Sequence, residues 1–177
     1  MKRIYLPLLI LAIALSGFKT FETQSWNLDE DYSIKFTSDN PEGIFQKMEG
    51  TIVFDEDNLG ESYFDMEVDA ATISTGNGMK NKHAMSDKWF DVKTHPKITF
   101  KSSEITEGDE GYTVTGTLNI HGKEKELSFP FTFEDDVFKG SFDIDRTEYE
   151  LGPTSGMQGN KAAKVLKVEL EVPVSQD

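Results

Sequence analysis

The stretch GYTVTGTLNIHGKEKELSFPFTFEDDVFKGSFDID, Gly111 to Asp145, decides the fold. Tyr112, Val114, Gly116, Leu118 and Ile120 alternate with Thr113, Thr115, Thr117 and Asn119. After the turn-prone His121-Gly122-Lys123, Leu127, Phe129, Phe131 and Phe133 alternate with Ser128, Pro130 and Thr132. Phe138, Gly140, Phe142 and Ile144 then alternate with Lys139, Ser141 and Asp143. A period of two sends successive side chains to opposite faces, so each run reads as a half-buried strand. Short connections between such runs join antiparallel neighbours.

The same pattern extends in both directions. Tyr32, Ile34 and Phe36 alternate with polar residues, as do Phe64, Met66, Val68 and Ala70, and Ile98 with Phe100. Ile52 and Phe54 do so less cleanly, and Leu166, Val168, Leu170, Val172 and Val174 form the last run. Asp57-Asn58-Leu59-Gly60 and Glu107-Gly108-Asp109-Glu110-Gly111 are turn signals. At least seven strands so spaced indicate an all-β sandwich or an up-and-down barrel, and only the barrel removes sheet edges.

Gly76 to Asp91 breaks the alternation. It suits one or two short helical turns, with Asn77 capping the first and Ser86 the second. Pro96 forces His95 into an extended conformation and ends the segment. The segment is expected to lie across one barrel mouth, with Trp89 and Phe90 as its apolar underside.

The two ends read differently from the body. Lys2 and Arg3 precede an apolar run from Ile4 to Leu15, and Ala14-Leu15-Ser16 supplies the small residues of a cleavage site. Residues 1–16 are therefore expected to be a cleaved signal peptide, 17–24 a flexible leader and 25–177 a single domain. No cysteine is present, which excludes disulfides, thiolate metal sites and a cysteine-linked lipid anchor. The formal net charge of −14 repels nucleic acid and gives no general attraction to anionic membranes. Within this acidic chain, Lys80, Lys82, Lys88, Lys93, Lys97 and Lys101 form a locally positive stretch.

Thirteen phenylalanines, many in the inward phase, make the interior aromatic and poor in hydrogen-bond donors. Gly116, Gly140 and Ala70 at inward positions are expected to leave room along the axis. Such a cavity suits an alkyl or isoprenoid chain better than a sugar or nucleotide; the plainer reading is a solid core that plugs its own barrel.

Signals for catalysis are weak. His83, His95 and His121 form no ligand-spaced pair and fall on separate elements, so no metal site is expected. Asp143, Asp145 and Arg146 read as a rim salt bridge rather than a catalytic carboxylate pair. Thr154-Ser155-Gly156-Met157-Gln158-Gly159 is no nucleophile elbow, and neither a P-loop nor a dinucleotide fingerprint is present. Gly152 to Gly159 reads as a long loop before the last strand.

Several motifs in register resemble the YceI-like family. They are Ile73-Ser74-Thr75-Gly76-Asn77, His83, Ser86-Asp87-Lys88-Trp89-Phe90-Asp91-Val92 and His95-Pro96-Lys97-Ile98-Thr99-Phe100-Lys101-Ser102. Val114 to Gly122 and Phe142 to Tyr149 follow in the same order. The resemblance spans about Trp26 to Val174. It implies an eight-stranded, lipocalin-like antiparallel barrel, a tunnel for a polyisoprenoid, quinone-like or fatty-acyl chain, and a periplasmic or secreted setting. Ala84 and Met85 replace the family's usual leucine and basic residue after the histidine; Lys80 and Asn81 also depart from its pattern.

The expectation is a non-enzymatic lipid-binding barrel, monomeric or dimeric, that requires no cofactor and sequesters or carries its ligand. Phe36, Phe54, Phe64, Met66, Phe100, Leu118, Phe129, Phe131, Phe142 and Ile144 are expected to line the tunnel. Trp89 and Phe90 would close the mouth, and Lys80, Lys82 and Lys88 would meet an anionic head group. The alternative is a scaffold that binds another protein through the Lys80–Lys101 surface. A lipid-modifying enzyme is the third reading.

Overall fold

The computed structural model describes residues 24–155 and 162–176. The expected signal peptide and leader lie outside these, apart from Gln24, whose carbonyl accepts a hydrogen bond from the Phe54 amide at 3.0 Å. Part of the expected loop, residues 156–159, also lies outside.

The strands are β1 (Ser25–Leu28), β2 (Ser33–Thr37), β3 (Gly43–Phe45), β4 (Met48–Val53), β5 (Tyr63–Asp69), β6 (Ile73–Ser74) and β7 (Lys97–Gly108). They continue as β8 (Gly111–Ile120), β9 (Lys123–Glu134), β10 (Val137–Asp145) and β11 (Val165–Ser175). All described pairings are antiparallel. The order β1-β4-β5-β7-β8-β9-β10-β11 returns to β1, which closes an eight-stranded barrel and decides against the sandwich. β11 is shared: Val174 and Ser175 pair with β1, whereas Lys167–Glu171 pair with β2, from which β3 and β6 extend.

The interior has two layers. At one end Phe54 is fully buried, and the rings of Phe64, Tyr112, Phe131, Phe133 and Phe138 surround it at centroid distances of 5.0–6.3 Å. Most of these contacts are edge-to-face, the arrangement favoured by ring quadrupoles. Toward the other end, Leu118, Ile120, Ile144, Tyr149 and Leu151 form a second buried group.

The glycines do not leave the space expected of them. A Cβ at Gly116 would lie 2.4 Å from the Lys101 carbonyl oxygen and 2.8 Å from the Phe100 ring; one at Gly140 would lie 3.1 Å from the Phe129 ring. Both positions make room for neighbouring rings. Ala70 sits in a short 3-10 turn, Ala70–Thr72, rather than in a strand.

The helix α1 spans Gly78–Ala84. Asn77 caps it as expected, its side-chain oxygen accepting from the Met79 and Lys80 amides at 3.0 Å each. No second helix follows. The Ser86 hydroxyl donates instead to the His83 carbonyl at 2.7 Å, and turns carry the chain to Pro96. Among the described residues no helix is long and apolar enough to cross a membrane.

Candidate functional site: an apolar interior and its mouth

Among the described residues, an inner cavity and a mouth cavity lie in the barrel. The inner one is about 190 Å³, and of its lining residues only Thr99 and Lys139 carry a polar side-chain group. The mouth cavity is about 370 Å³ and is lined on one side by α1 and the turns after it. The residues Phe45, Ile98, Ile120, Ile144 and Val168 line both, so one apolar layer separates them. The mouth falls within the range of about 300–1,000 Å³ usual for small-molecule pockets, whereas phenylalanine rings have reduced the inner space below it.

The structure places Phe64, Met66, Phe100, Leu118, Phe129, Phe131, Phe142 and Ile144 on the inner cavity wall and Phe36 on the mouth wall. Phe54 lines neither. It corrects the expectation drawn from its phase: with no exposed surface, it is the plug of the closed end. Ile34, Ile52, Val68, Leu127 and Phe138, absent from the expected set, also line the inner space. All are apolar strand residues, and their alternation was the signal that could have found them.

Trp89 and Phe90 both line the mouth. The Trp89 indole Nε1 is buried and has no hydrogen-bond partner among the described residues. An unpaired buried donor costs about 1–3 kcal/mol. Behind the indole, Gly152 has φ 70°, and a Cβ there would lie 2.7 Å from the ring.

Lys80 lines the mouth and donates to the Asn40 side-chain oxygen at 3.2 Å. Lys82 and Lys88 do not reach either cavity; both are exposed. That corrects their assignment to a head group, because the faces of one helical turn and its following loop diverge. The wider lysine stretch is not a single surface either. Lys97 pairs with Glu49 at 2.6 Å and Glu67 at 3.6 Å, and Lys101 with Asp65 at 3.0 Å. Antiparallel register sets these lysines beside the acidic face of β5.

Arg146 was expected at a rim salt bridge. It is instead 2% exposed and lines the mouth. Its guanidinium donates to the carbonyls of Ala163 (2.8 Å), Leu151 (2.6 Å) and Ala162 (3.3 Å). Burial holds its pKa below the usual arginine value, and the Asp145 carboxylate opposes that shift. The rim ion pair belongs to Asp145, whose partner is Lys164 at 2.8 Å. Arg146 follows Phe142 and Ile144 in the inward phase, opposite to Asp143 and Asp145.

The three histidines lie on separate elements, as expected, but two of them come together in space. His83 stays apart near Trp89, at a ring-centroid distance of 6.2 Å. His95 and His121 meet with centroids 4.9 Å apart, and Asp91 joins them.

A family model described as the YceI-like domain matches residues 26–175. The chain is 31% identical over 85 residues to a UPF0312 protein of Photorhabdus laumondii, covering 48% of this chain and 44% of the relative. A UPF0312 protein of Pectobacterium atrosepticum is 30% identical over the same length, with the same coverage. The chain thus spans less than half the length of these curated relatives. Burkholderia cenocepacia BcnA superposes with a TM-score of 0.77 at 27% identity, over 85% of this chain and 100% of BcnA. A polyisoprenoid binding domain from Saccharophagus degradans, implicated in plant cell wall breakdown, gives 0.59 at 15% identity, over 88% of this chain and 100% of that one.

Proposed function

The chain belongs to the YceI-like domain family, and from that premise we propose that it binds the hydrocarbon chain of a lipid inside its barrel. The observation that carries the reading is the inner cavity, whose lining has polar side-chain groups only at Thr99 and Lys139. A polar ligand would lose its hydration there without gaining partners, whereas an isoprenoid or acyl chain loses nothing of the kind. The polyisoprenoid binding domain of Saccharophagus degradans shares this fold and supports the same direction.

The chain end would enter through the mouth, pass the layer of Ile120, Ile144 and Val168, and displace rings toward the Phe54 plug. The head group would remain at the mouth, where Lys80 favours negative charge. The role is non-enzymatic sequestration or transport outside the cytoplasm, in a periplasmic or secreted setting, with the lipid as the bound group and no cofactor required for its uptake. The scaffold reading is weaker, because Lys97 and Lys101 are already engaged with carboxylates.

Native mass spectrometry of protein purified without detergent, followed by organic extraction, tests the proposal. A stoichiometric long-chain lipid is expected. A bare protein that also fails to take up added prenols, quinones or fatty acids would overturn it.

A further inference from the structure

We propose that Asp91, His95 and His121 form a binding site for a divalent ion of the zinc type, which clasps the mouth cover to the β8–β9 hairpin. One donor atom from each residue lies within 4.8 Å of the others, and all three residues are half-buried. Tetrahedral zinc, with bonds of about 2.0–2.1 Å, sets its ligand atoms about 3.3 Å apart, so small side-chain rotations complete the site. Two imidazoles and a carboxylate, with no thiolate, suit such a borderline ion better than calcium or magnesium.

The backbone brings these groups together deliberately. The Asp91 carbonyl accepts from the Thr94 and His95 amides at 2.9 and 2.8 Å, a tight turn that returns His95 toward Asp91. Asp91 (φ 41°) and His121 (φ 54°) both adopt the left-handed region, which few residues other than glycine enter and which recurs at functional sites. Gly122 has φ 73°, and a Cβ there would lie 2.7 Å from His95 Cε1, so glycine lets the His95 ring close over the hairpin turn.

His121 Nδ1 lies 3.3 Å from the Tyr149 carbonyl oxygen. That carbonyl selects the tautomer with hydrogen on Nδ1 and leaves the Nε2 lone pair for an ion, the outer-shell arrangement usual for histidine ligands. Among the described residues no hydrogen bond joins the three side chains; the His95 and His121 rings meet edge-to-face, and Asp91 stands beside them. Two ligands come from the segment after α1 and one from the hairpin. Phe90 and Ile120, the chain neighbours of Asp91 and His121, line the mouth cavity. A bound ion therefore ties the cover to the wall beside the opening.

The test is titration of chelator-treated, tag-free protein with Zn²⁺ by calorimetry and with Co²⁺ by visible absorption. One Zn²⁺ per chain and a cobalt band of low coordination number are expected. Asp91→Asn and His121→Asn retain residues that tolerate positive φ and should each weaken Zn²⁺ binding by more than about tenfold. His83→Ala should bind as the parent does. His95→Gln, at ordinary φ, replaces either asparagine variant if circular dichroism shows it unfolded. Absence of stoichiometric Zn²⁺ binding, or equal binding by parent and folded ligand variants, overturns the site. The readout needs no lipid, so its outcome is independent of the lipid reading.

Discussion

The guanidinium carbon of Arg146 lies 5.4 Å from the centre of the Trp89 ring, so a buried cation at the end of β10 holds the aromatic cover of the mouth. The same guanidinium ties down the Leu151, Ala162 and Ala163 carbonyls. Arg146→Ala removes the stacking and leaves those acceptors unpaired in partly buried surroundings. A stability loss of about 2–4 kcal/mol is expected, read as a lower urea midpoint at unchanged m.

Gly152→Ala tests the other side of the same indole. The substitution forces a side chain into φ 70° and toward a ring 2.7 Å from its Cβ. A cost of about 1–3 kcal/mol is expected, with a changed Trp fluorescence maximum as Trp89 shifts. An unaltered midpoint and spectrum would refute the packing argument.

Phe54 and Phe129 should separate stability from loading. Phe54→Ala empties the plug and should cost about 3–5 kcal/mol while sparing the cavity walls. Phe64→Glu and Phe129→Glu place charge in the apolar space and should abolish lipid retention. Retention of parental lipid by a folded glutamate variant, measured by extraction and mass spectrometry, would remove these residues from the tunnel wall.

Of Lys80, Lys82 and Lys88, only Lys80 lines the mouth and is placed to sense head-group charge. Lys80→Glu should weaken a fatty acid relative to the matching alcohol in fluorescence competition, whereas Lys82→Glu and Lys88→Glu should not. Equal effects of all three variants would show a general surface potential rather than a contact.

Asp145 supplies an acid limb to stability. Burial alone would raise its pKa, but the Lys164 ammonium and hydrogen bonds from Thr147 outweigh it and bring the value to about 2 from 3.8. A depressed folded-state pKa contributes stability above the unfolded value and loses it as pH falls. The contribution is therefore present above about pH 4 and lost toward pH 2. Asp145→Asn should flatten that part of the stability–pH curve measured by urea unfolding.

Strand phase, an aromatic interior, the Asn77 cap and the resemblance to the YceI-like family were all legible in the sequence, because alternation and capping are local. Phe64, Phe129 and Phe142 show this: their phase alone puts them inside. Phase could not say that Phe54 plugs the end while Phe129 faces a cavity, nor that the space beside Gly116 and Gly140 is filled by neighbouring rings. It could not pair Lys97 with Glu49, bury Arg146 under three carbonyls, or bring His95 to His121 across 26 positions of chain. Those outcomes depend on barrel closure, register and which loops meet at one rim. They are relations between segments distant in sequence, and only the tertiary structure sets the distances on which they rest.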